Sequence, residues 1–329
     1  MSDTFRGLML TQDDQRQTHA NFEQITTDEL PDGEVLVKVQ YSSLNYKDGL
    51  AITGSSPVVR SFPMVPGIDF VGTVASSQDT RYAVGDTVIL TGWGVGETHW
   101  GGYAEYARVP ADYLVHLPAG LSTQDAMTIG TAGFTAMMAI MALEDQGIKP
   151  DDGAILVTGA SGGTGSIAIA LLDTLGYHVV ASTGRDELSD YLHELGASEV
   201  IERLEAPTRS LARTRWAGAI DSVGGDTLSA ILPEIHYGGS VACFGLAGGS
   251  DLNTTVFPFI LRGVSLLGID SVMCPYERRV GVWQRVAQLA DDDKLGAMRQ
   301  VEALSDVQGL ASAIIAGQVR GRVVIDVSQ

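Results

Sequence analysis

Cysteine is scarce in this chain. Its 329 residues include two cysteines, Cys243 and Cys274. So few cysteines exclude a disulfide-stapled scaffold and a zinc site built from four thiolates. Cys243 falls within a predicted strand, where we expect a small buried hydrophobic group.

Long apolar runs and excess positive charge are lacking as well. The N-terminal sequence MSDTFRGLMLTQDD has neither a long apolar core nor a basic leader, and we find no apolar run long enough to span a bilayer. The net charge of −19 argues against nucleic acid or an anionic membrane as the main partner. We therefore expect a cytoplasmic protein with no nucleic-acid partner and no membrane partner.

Glycine, in contrast, is plentiful, and its most informative cluster is the turn from Ala160 to Gly165. One apolar run, Ile155 to Val157, precedes the turn, and another, Ile167 to Leu172, follows it. This pattern predicts a buried strand, a tight turn and a helix that ends near Gly176.

Two glycines of the turn match the dinucleotide-binding pattern G-x-G-x-x-G, with Ala160 at its first position. Gly162 would let the backbone approach a pyrophosphate, and Gly165 would let the helix pack closely on the strand. The N–H groups and the dipole of the first helical turn would face the phosphate charge. A purely structural turn is the alternative, but the strand before it and the helix after it favour nucleotide binding.

The choice of cofactor depends on the end of the next predicted strand, His178 to Ala181. A fold that prefers NAD commonly has an acidic residue there to bind the ribose 2′-hydroxyl. This chain has Ser182 to Arg185 (S-T-G-R), whose hydroxyls and guanidinium suit a 2′-phosphate. Alternatively, Asp186 binds the ribose and Arg185 is solvated, although Asp186 also suits the first turn of a helix. We expect NADPH.

The order of predicted elements indicates an α/β protein with two kinds of domain. Up to about residue 125, short strands at 34–41, 71–75 and 87–90 are separated by turns rich in Gly, Pro and Asp, which favours a small β-barrel. Later strands alternate with helices, as in a doubly wound parallel sheet, at 154–158, 178–182, 199–201, 217–222, 239–244 and 264–269.

The C-terminal helix at 307–316 and strand at 322–327 have no place in that parallel sheet. We therefore assign them back to the first domain. The predicted boundaries are 1–125 for the barrel domain, 126–293 for the nucleotide-binding domain and 294–329 for the return.

Several long motifs resemble one family over essentially the full length. They are SSLNYKDGLAITG (42–54), FPMVPGIDFVGTV (62–74), LTGWGVGETHWGGYAEYARV (90–109), IGTAGFTAM (129–137), VTGASGG (157–163) and CFGLAGG (243–249). They are similar to the zinc-free medium-chain dehydrogenases/reductases of the acrylyl-CoA reductase group, also known as putative quinone oxidoreductases. The resemblance implies a GroES-like β-barrel catalytic domain, a Rossmann domain, NADPH as cofactor and a homodimer.

The residues themselves argue against a catalytic metal. In zinc-dependent relatives a Cys and a G-H-E motif supply ligands, and here the corresponding places hold Asn45 and Gly67-Ile68-Asp69. Ile68 cannot ligate a metal, and the amide of Asn45 is a poor ligand for zinc. We expect no metal.

The reaction that the resemblance implies is the NADPH-dependent reduction of the C=C bond of acryloyl-CoA, a short 2-enoyl-CoA, to propanoyl-CoA. Hydride would add to the β-carbon of the thioester, and the resulting enolate would take a proton at the α-carbon. Two alternatives stay open. One is an NADPH:quinone oxidoreductase, and the other is a non-catalytic NADPH-binding protein on the same scaffold.

Tyr46 and Asn45 are the predicted catalytic residues. The Tyr46 hydroxyl would donate to the enolate oxygen or pass a proton to carbon; alternatively, Tyr46 is an aromatic wall and water supplies the proton. The resemblance and the turn together imply these cofactor-binding residues: Tyr46, Thr131, Thr135, Ser161, Gly162, Gly163, Thr164, Thr183, Gly184, Arg185, Arg203, Leu246, Ile260, Ser271 and Gln318.

Two arginine pairs are candidates for the phosphates of a CoA thioester. Arg278-Arg279 follows Pro275, but an exposed helix face explains this pair equally well. For Arg320-x-Arg322 we favour a role in phosphate binding, because the Gly-Arg pair that closes the sequence in the family lies near the cleft of those proteins. Arg322 is therefore predicted to bind substrate.

Overall fold

The computed structural model describes residues 4–207 and 209–329. In chain order the strands are β1 (Thr4–Gln12), β2 (Thr18–Thr26), β3 (Val35–Ser43), β4 (Asp69–Ser77), β5 (Thr87–Thr91), β6 (Tyr106–Val109), β7 (Leu114–His116), β8 (Ile155–Thr158), β9 (Val179–Ser182), β10 (Glu199–Ile201), β11 (Trp216–Asp221), β12 (Ile235–Cys243), β13 (Ser265–Gly268), β14 (Arg299–Ala303) and β15 (Arg322–Asp326). The α-helices are α1 (Tyr46–Thr53), α2 (Thr123–Asp145), α3 (Gly163–Thr174), α4 (Ser189–Glu194), α5 (Gly225–Ile231), α6 (Phe257–Arg262), α7 (Tyr276–Leu289), α8 (Asp292–Met298) and α9 (Val307–Ile315).

The chain divides into two compact units. Unit 1 contains the residues up to Thr131 together with Val272–Ala287 and Arg299–Gln329, and unit 2 contains Ala132–Ser271 and Gln288–Met298. The division after Thr131 lies slightly beyond the predicted boundary at 125. The larger difference is that Val272–Ala287, which the sequence placed in the nucleotide-binding domain, belongs to unit 1.

Unit 1 is built on a mostly antiparallel sheet with the strand order β14-β15-β3-β4-β5-β7, and β6 also pairs with β3. The sequence of β3 explains its place, because Val35, Val37 and Val39 are buried while Lys38 between them is exposed. Strand β15 runs antiparallel to β3, with Val324 opposite Ser43. The C-terminal strand therefore lies in the sheet of unit 1.

Helix α1 is held in unit 1 by close packing on α9. A Cβ atom added at Gly49 would lie 2.7 Å from Cγ2 of Ile314 and 3.1 Å from the carbonyl oxygen of Ala311. Only a residue without a side chain allows this approach. The contact fixes the helix whose first residue is Tyr46.

Unit 2 is built on a parallel sheet with the strand order β10-β9-β8-β11-β12-β13. All of the strands predicted for a doubly wound sheet are present within a few residues of their expected bounds. The order reverses between β8 and β11, and in such sheets the ligand lies at the carboxyl ends of the strands beside this point.

The glycine-rich turn joins β8 to α3 as the sequence predicts. A Cβ atom added at Gly165 would lie 2.4 Å from the carbonyl oxygen of Gly159, so this position requires glycine. Gly176, shortly after α3, has φ of 82°, which is the left-handed conformation of a helix end.

Helix α2 is long and apolar enough to cross a membrane by length and composition, a property that the sequence analysis missed. In its most apolar stretch, 83% of the residues are buried within the protein, as in a core helix. Its helical geometry is also interrupted at Gly130, where φ is 46° and ψ is −155°. Met127 and Met137 are fully buried, so the methionines of this helix pack in the core.

Candidate active site

A cluster of hydroxyl and guanidinium groups lies at the carboxyl end of β9 in unit 2. The Ser161 hydroxyl lies 3.2 Å from that of Thr183, and both side chains are buried. Arg185 donates to Ser161 Oγ from Nη2 (2.7 Å) and Nε (3.2 Å) and to the Ser161 carbonyl oxygen from Nη2 (3.1 Å). The three predicted residues are thus brought together.

The electrostatics of this cluster favour an anion. Burial lowers the pKa of the Arg185 guanidinium, and the positive charge of Arg203 lowers it further, although Glu187 acts in the opposite direction. Arg203 lies against Gly184, since a Cβ atom added there would come within 2.3 Å of Arg203 Nε. Two cations therefore sit close together, so an added negative charge would stabilise both.

Asp186 is exposed and begins a short 3₁₀ turn, Asp186–Leu188. Its position is therefore explained by a role in the first turn of a helix. The polar side chains that meet at the end of β9 are the hydroxyls of Ser161 and Thr183 and the guanidinium of Arg185. This donor set fits the 2′-phosphate of NADPH better than a bare ribose hydroxyl.

The other predicted residues of unit 2 are distributed over three places. Gly162 precedes α3, and Gly163 and Thr164 form its first turn, where helical N–H groups lack intrahelical partners. Thr135 donates to Ser271 Oγ at 2.8 Å, and both residues are buried. Leu246 and Ile260 are exposed.

In unit 1 the predicted catalytic residues stand at the start of α1. Asn45 is the N-cap residue, and the Asp48 carboxylate accepts a hydrogen bond from the backbone N–H of Asn45 at 2.9 Å, as in a capping box. Tyr46 is 40% exposed whereas Asn45 is buried. The tyrosine is therefore accessible, and the asparagine belongs to the interior.

The carboxylate of Asp69, at the first position of β4, is the centre of a buried polar cluster. Its Oδ1 accepts from the backbone N–H (3.1 Å) and the hydroxyl (2.7 Å) of Ser43. Its Oδ2 accepts from Asn45 Nδ2 (3.0 Å) and from the backbone N–H of Thr131 (2.8 Å). One buried side chain thus ties together the strand end at Ser43, the N-cap of α1 and the segment at Thr131.

Arg322 completes this cluster, and its position corrects a prediction. It is 3% exposed and donates to Ser43 Oγ (2.6 Å), Asn45 Oδ1 (3.2 Å) and the carbonyl oxygens of Thr128 (2.8 Å) and Leu44 (3.3 Å). The prediction that Arg322 binds a CoA phosphate is wrong, because its donors are engaged inside unit 1.

The first arginine pair is divided between surface and interior. Arg278 is exposed, whereas Arg279 is fully buried and donates to the Thr91 hydroxyl at 2.9 Å and to the carbonyl oxygen of Val272 at 3.1 Å. The interpretation of an exposed helix face is therefore wrong for Arg279, which is part of the interior of unit 1.

Two buried carboxylates share the neighbourhood of Arg322. Burial, together with the charge of Asp69, raises the pKa of Asp48 to about 7. Asp48 accepts from the backbone N–H groups of Asn45 and Ile68, which counteract part of this shift. Tyr103 lies against the same cluster, and its hydroxyl donates to the carbonyl oxygen of Ser43 at 3.1 Å.

Comparison with known proteins places these features in a family. The family model of the alcohol dehydrogenase GroES-like domain matches residues 31–119, and that of the zinc-binding dehydrogenase matches residues 163–291. The chain is 54% identical to the acrylyl-CoA reductase AcuI of Ruegeria pomeroyi over 98% of this chain and 99% of that protein. The chain belongs to the medium-chain dehydrogenase/reductase family.

Two further medium-chain relatives cover most of the chain. The putative quinone oxidoreductase YhfP of Bacillus subtilis is 49% identical over 92% of both chains. The crystal structure of the yhdH oxidoreductase from Salmonella enterica in complex with NADP matches with a TM-score of 0.95 and 52% identity, covering 98% of this chain and 99% of that one. The predicted combination of a GroES-like domain with a Rossmann domain is confirmed.

The zinc-binding description of one family model does not fit the residues of this medium-chain reductase. Four donors occupy the Asp69 carboxylate, and the Asn45 side chain is engaged by Asp69 and Arg322. Within residues 4–207 and 209–329, no group of three or more His, Cys, Asp or Glu side chains is placed to hold a metal ion. The donor set at this position suits a hydrogen-bonded interior and not a cation.

Sequence reasoning missed Asp48, Asp69 and Ser43 as members of the cluster, although two signals were present. The spacing Asn45-x-x-Asp48 is that of a capping box. Asp69 interrupts the apolar run Ile68 to Val71, and an acid within such a run is buried only with partners. Gln318 follows α9 in unit 1 with its side chain exposed, and its predicted contact with the cofactor stays a prediction.

Proposed function

We propose that this medium-chain reductase catalyses the NADPH-dependent reduction of acryloyl-CoA, or another short 2-enoyl-CoA, to propanoyl-CoA or its homologue. The observation that carries the proposal is the full-length identity of 54% to an acrylyl-CoA reductase, combined with the phosphate-type cluster of Ser161, Thr183 and Arg185. Both cysteines, Cys243 and Cys274, are present as thiols, which suits a reducing compartment such as the cytosol.

The residues that would hold NADPH belong to two groups. Arg185, Arg203 and Thr183 would bind the 2′-phosphate, and the first turn of α3, from Gly163, would bind the pyrophosphate. Thr131, Thr135, Leu246, Ile260, Ser271 and Gln318 are the further proposed contacts. When bound, NADPH supplies the hydride that reduces the β-carbon of the enoyl thioester.

Tyr46 would carry the polar part of the chemistry. Its exposed hydroxyl, on the first residue of α1, would donate to the developing enolate oxygen or pass a proton to the α-carbon. Asn45 would act indirectly, because its amide group is engaged inside unit 1. Tyr46 as an aromatic wall, with water as the proton source, is the alternative.

A quinone reductase is the second candidate, and the 49% identity to a putative quinone oxidoreductase favours it. The deciding experiment follows the absorbance of NADPH with acryloyl-CoA, crotonyl-CoA and a benzoquinone side by side. We expect the highest kcat/KM with acryloyl-CoA. Fast turnover with only the quinone would contradict the proposed function, and binding of NADPH without any turnover would favour a non-catalytic protein.

We also propose that the reaction proceeds without a metal. The interior hydrogen bonds of Asp69 and Asn45 leave those side chains poorly suited to zinc. Elemental analysis of the purified protein should find no stoichiometric zinc, and a strong chelator should leave the activity unchanged. One zinc per chain, lost together with activity, would contradict this expectation.

A homodimer is the proposed assembly. Strand β13 ends the parallel sheet of unit 2, and in the part of the chain that the structure describes it pairs with β12 alone. Nearby α6 exposes Phe257 and Leu261, which would be covered by a second copy. Light scattering should give twice the chain mass of 34.8 kDa.

A further inference from the structure

The buried cluster of unit 1 contains one side chain that touches both segments carrying proposed site residues. Asp69 Oδ2 accepts from Asn45 Nδ2, directly before Tyr46, and from the backbone N–H of Thr131. We propose that Asp69 is a positioning residue of the reductase, which fixes Tyr46 relative to Thr131 through these two hydrogen bonds. The inference rests on the proposed function, in which Tyr46 acts on the substrate.

The hydrogen bonds explain why a carboxylate occupies this position. An ionised carboxylate is an acceptor only and offers about four acceptor sites. Its partners here are four donors, namely two from Ser43, one from Asn45 and one from Thr131. An amide of the same shape would accept hydrogen bonds at its single oxygen. Its NH₂ group, itself a donor, would face the donors that the second carboxylate oxygen now accepts.

Arg322 holds the same two segments from the side opposite Asp69. Its guanidinium donates to the Ser43 hydroxyl and to Asn45 Oδ1, so both ends of the Asn45 amide are fixed, one by Asp69 and one by Arg322. A Cβ atom added at Gly130 would lie 2.8 Å from Asp69 Oδ2, 2.8 Å from Ser43 Oγ and 2.9 Å from Arg322 Nη2. The segment at 130–131 therefore lies directly against the cluster, and a shift of the carboxylate would move both segments.

Two neighbouring buried serines provide a contrasting pair of variants. Ser43 Oγ donates to the Asp69 carboxylate, whereas Ser42 Oγ donates to the Asp69 backbone carbonyl at 2.6 Å. Both serines are fully buried. Ser42→Ala thus removes one buried hydrogen bond to the backbone, whereas Ser43→Ala removes the bond to the Asp69 carboxylate together with those from Arg322 and Asn45. Only Ser43→Ala loosens the carboxylate.

The experiment measures kcat, the affinity for 2′,5′-ADP and the melting temperature for Asp69→Asn, Ser43→Ala and Ser42→Ala in the full chain. A misplacement of a catalytic group by about 1 Å costs about a hundredfold in rate, so Asp69→Asn should lower kcat by about tenfold to a hundredfold. Ser43→Ala should lower kcat by a smaller factor. Ser42→Ala should lower the melting temperature less than Ser43→Ala does, because it removes fewer buried hydrogen bonds, and it should leave kcat unchanged. Binding of 2′,5′-ADP should be normal in all three.

A double-mutant cycle with Tyr46→Phe separates positioning from a merely structural role. If Asp69 acts through the Tyr46 hydroxyl, Asp69→Asn should cause little further loss of kcat in the Tyr46→Phe background. A full additional loss there, or an equal loss of kcat in Ser42→Ala and Ser43→Ala, would overturn the inference. If Asp69→Asn does not fold, the same cycle with Ser43→Ala gives the answer.

The substrate panel with the unmodified protein tests the proposed function separately. Should that panel show turnover of a quinone alone, the reductase assignment fails, and the variant-to-wild-type ratios are then measured with the quinone. Asp69 is judged on these ratios in either case. Unchanged kcat in both Asp69→Asn and Ser43→Ala would overturn its positioning role while the proposed function stands.

Discussion

The two polar clusters of this protein contain the same kinds of side chain but serve different purposes. In unit 1 the guanidinium of Arg322 is buried and its donors are directed at Ser43, Asn45 and backbone carbonyl oxygens. In unit 2 the guanidinium of Arg185 is only partly buried and lies close to a second cation, Arg203. The first arrangement is complete within the protein, whereas the second one would be stabilised by an anion.

This difference teaches that residue type alone does not separate a binding group from a structural one. A basic residue near a family motif suggests an anion site in both cases. The distinguishing quantities are burial and the charges nearby, namely two carboxylates beside Arg322 and a second cation beside Arg185, which only the folded chain shows. Each of the following predictions tests one side of this contrast.

The largest effect should come from removing the buried guanidinium. Arg322→Ala leaves Asp48 and Asp69 buried without their neighbouring cation and leaves several acceptors without donors. Breaking such a buried arrangement costs about 3–5 kcal/mol of unfolding free energy. Urea denaturation should show this loss as a lower midpoint.

Arg81 is the matched control for that experiment. It also contacts two carboxylates, Asp79 at 2.8 Å and Asp112 at 2.7 Å, but it lies at the surface. Arg81→Ala should leave the urea midpoint nearly unchanged, since solvent screens exposed ion pairs. Equal midpoints for Arg322→Ala and Arg81→Ala would show that the buried cluster contributes no more than a surface pair.

The sequence predicted the parallel sheet and the glycine turn well, because both depend on local patterns. Apolar runs between turns mark β8 to β13, and Gly165 is required by one close approach to Gly159. The buried cluster was harder to predict, because its members are far apart in the chain. Ser43, Asp69, Thr131 and Arg322 meet only when β15 pairs with β3 and β3 pairs with β4.

The membership of Val272–Ala287 in unit 1 was also hidden, for a related reason. Helix α7 has an ordinary amphipathic pattern that would suit either unit. Its place is set by contacts such as that of Arg279 with Thr91, which lies 188 positions before it in the sequence. Local periodicity carries no information about such a partner.

The second prediction concerns the exposed tyrosine beside the buried cluster. Tyr46→Phe keeps the ring and deletes the hydroxyl. If the hydroxyl stabilises the enolate oxygen, kcat with acryloyl-CoA should fall about a hundredfold, or about 2.7 kcal/mol, as after loss of one oxyanion donor. The affinity for NADPH, measured by fluorescence titration, should barely change. A normal kcat would assign the proton to solvent and leave Tyr46 as an aromatic wall.

The third prediction tests whether the cluster of unit 2 binds an anion. A hydrogen bond to a charged group contributes about 1.5–3 kcal/mol, so Arg185→Ala should weaken NADPH binding by about tenfold to a hundredfold. Binding of NADH, which lacks the 2′-phosphate, should be almost unaffected. Asp186→Asn, at the neighbouring exposed position, should change neither affinity. Equal losses for NADPH and NADH in Arg185→Ala would make this arginine structural, like Arg322.

The smallest expected effect is a pH dependence of stability that arises from Asp48. Its pKa in the folded protein is about 7, against an ordinary value of 3.8, so the folded state holds this proton more tightly than the unfolded chain does. The stabilisation is therefore fully present below about pH 4, is lost as the pH rises through about 7, and changes little above about pH 8. The groups that face Asp48 are Asp69, Tyr103 and Arg322.

The measurement compares wild type with Asp48→Asn, which cannot titrate at this position, by urea denaturation at several pH values. One titrating group changes the free energy of unfolding by at most about 1.4 kcal/mol per pH unit. Between pH 6 and 8, wild type should therefore lose about 1 kcal/mol relative to Asp48→Asn, because the upper part of the titration falls in this interval. Ser42→Ala removes a neighbouring buried hydrogen bond without removing a charge, so its difference from wild type should be independent of pH. If the difference between wild type and Asp48→Asn were also independent of pH, Asp48 would have the same pKa in the folded and unfolded states. In that case Arg322 and the backbone donors would offset the cost of burying a second carboxylate beside Asp69.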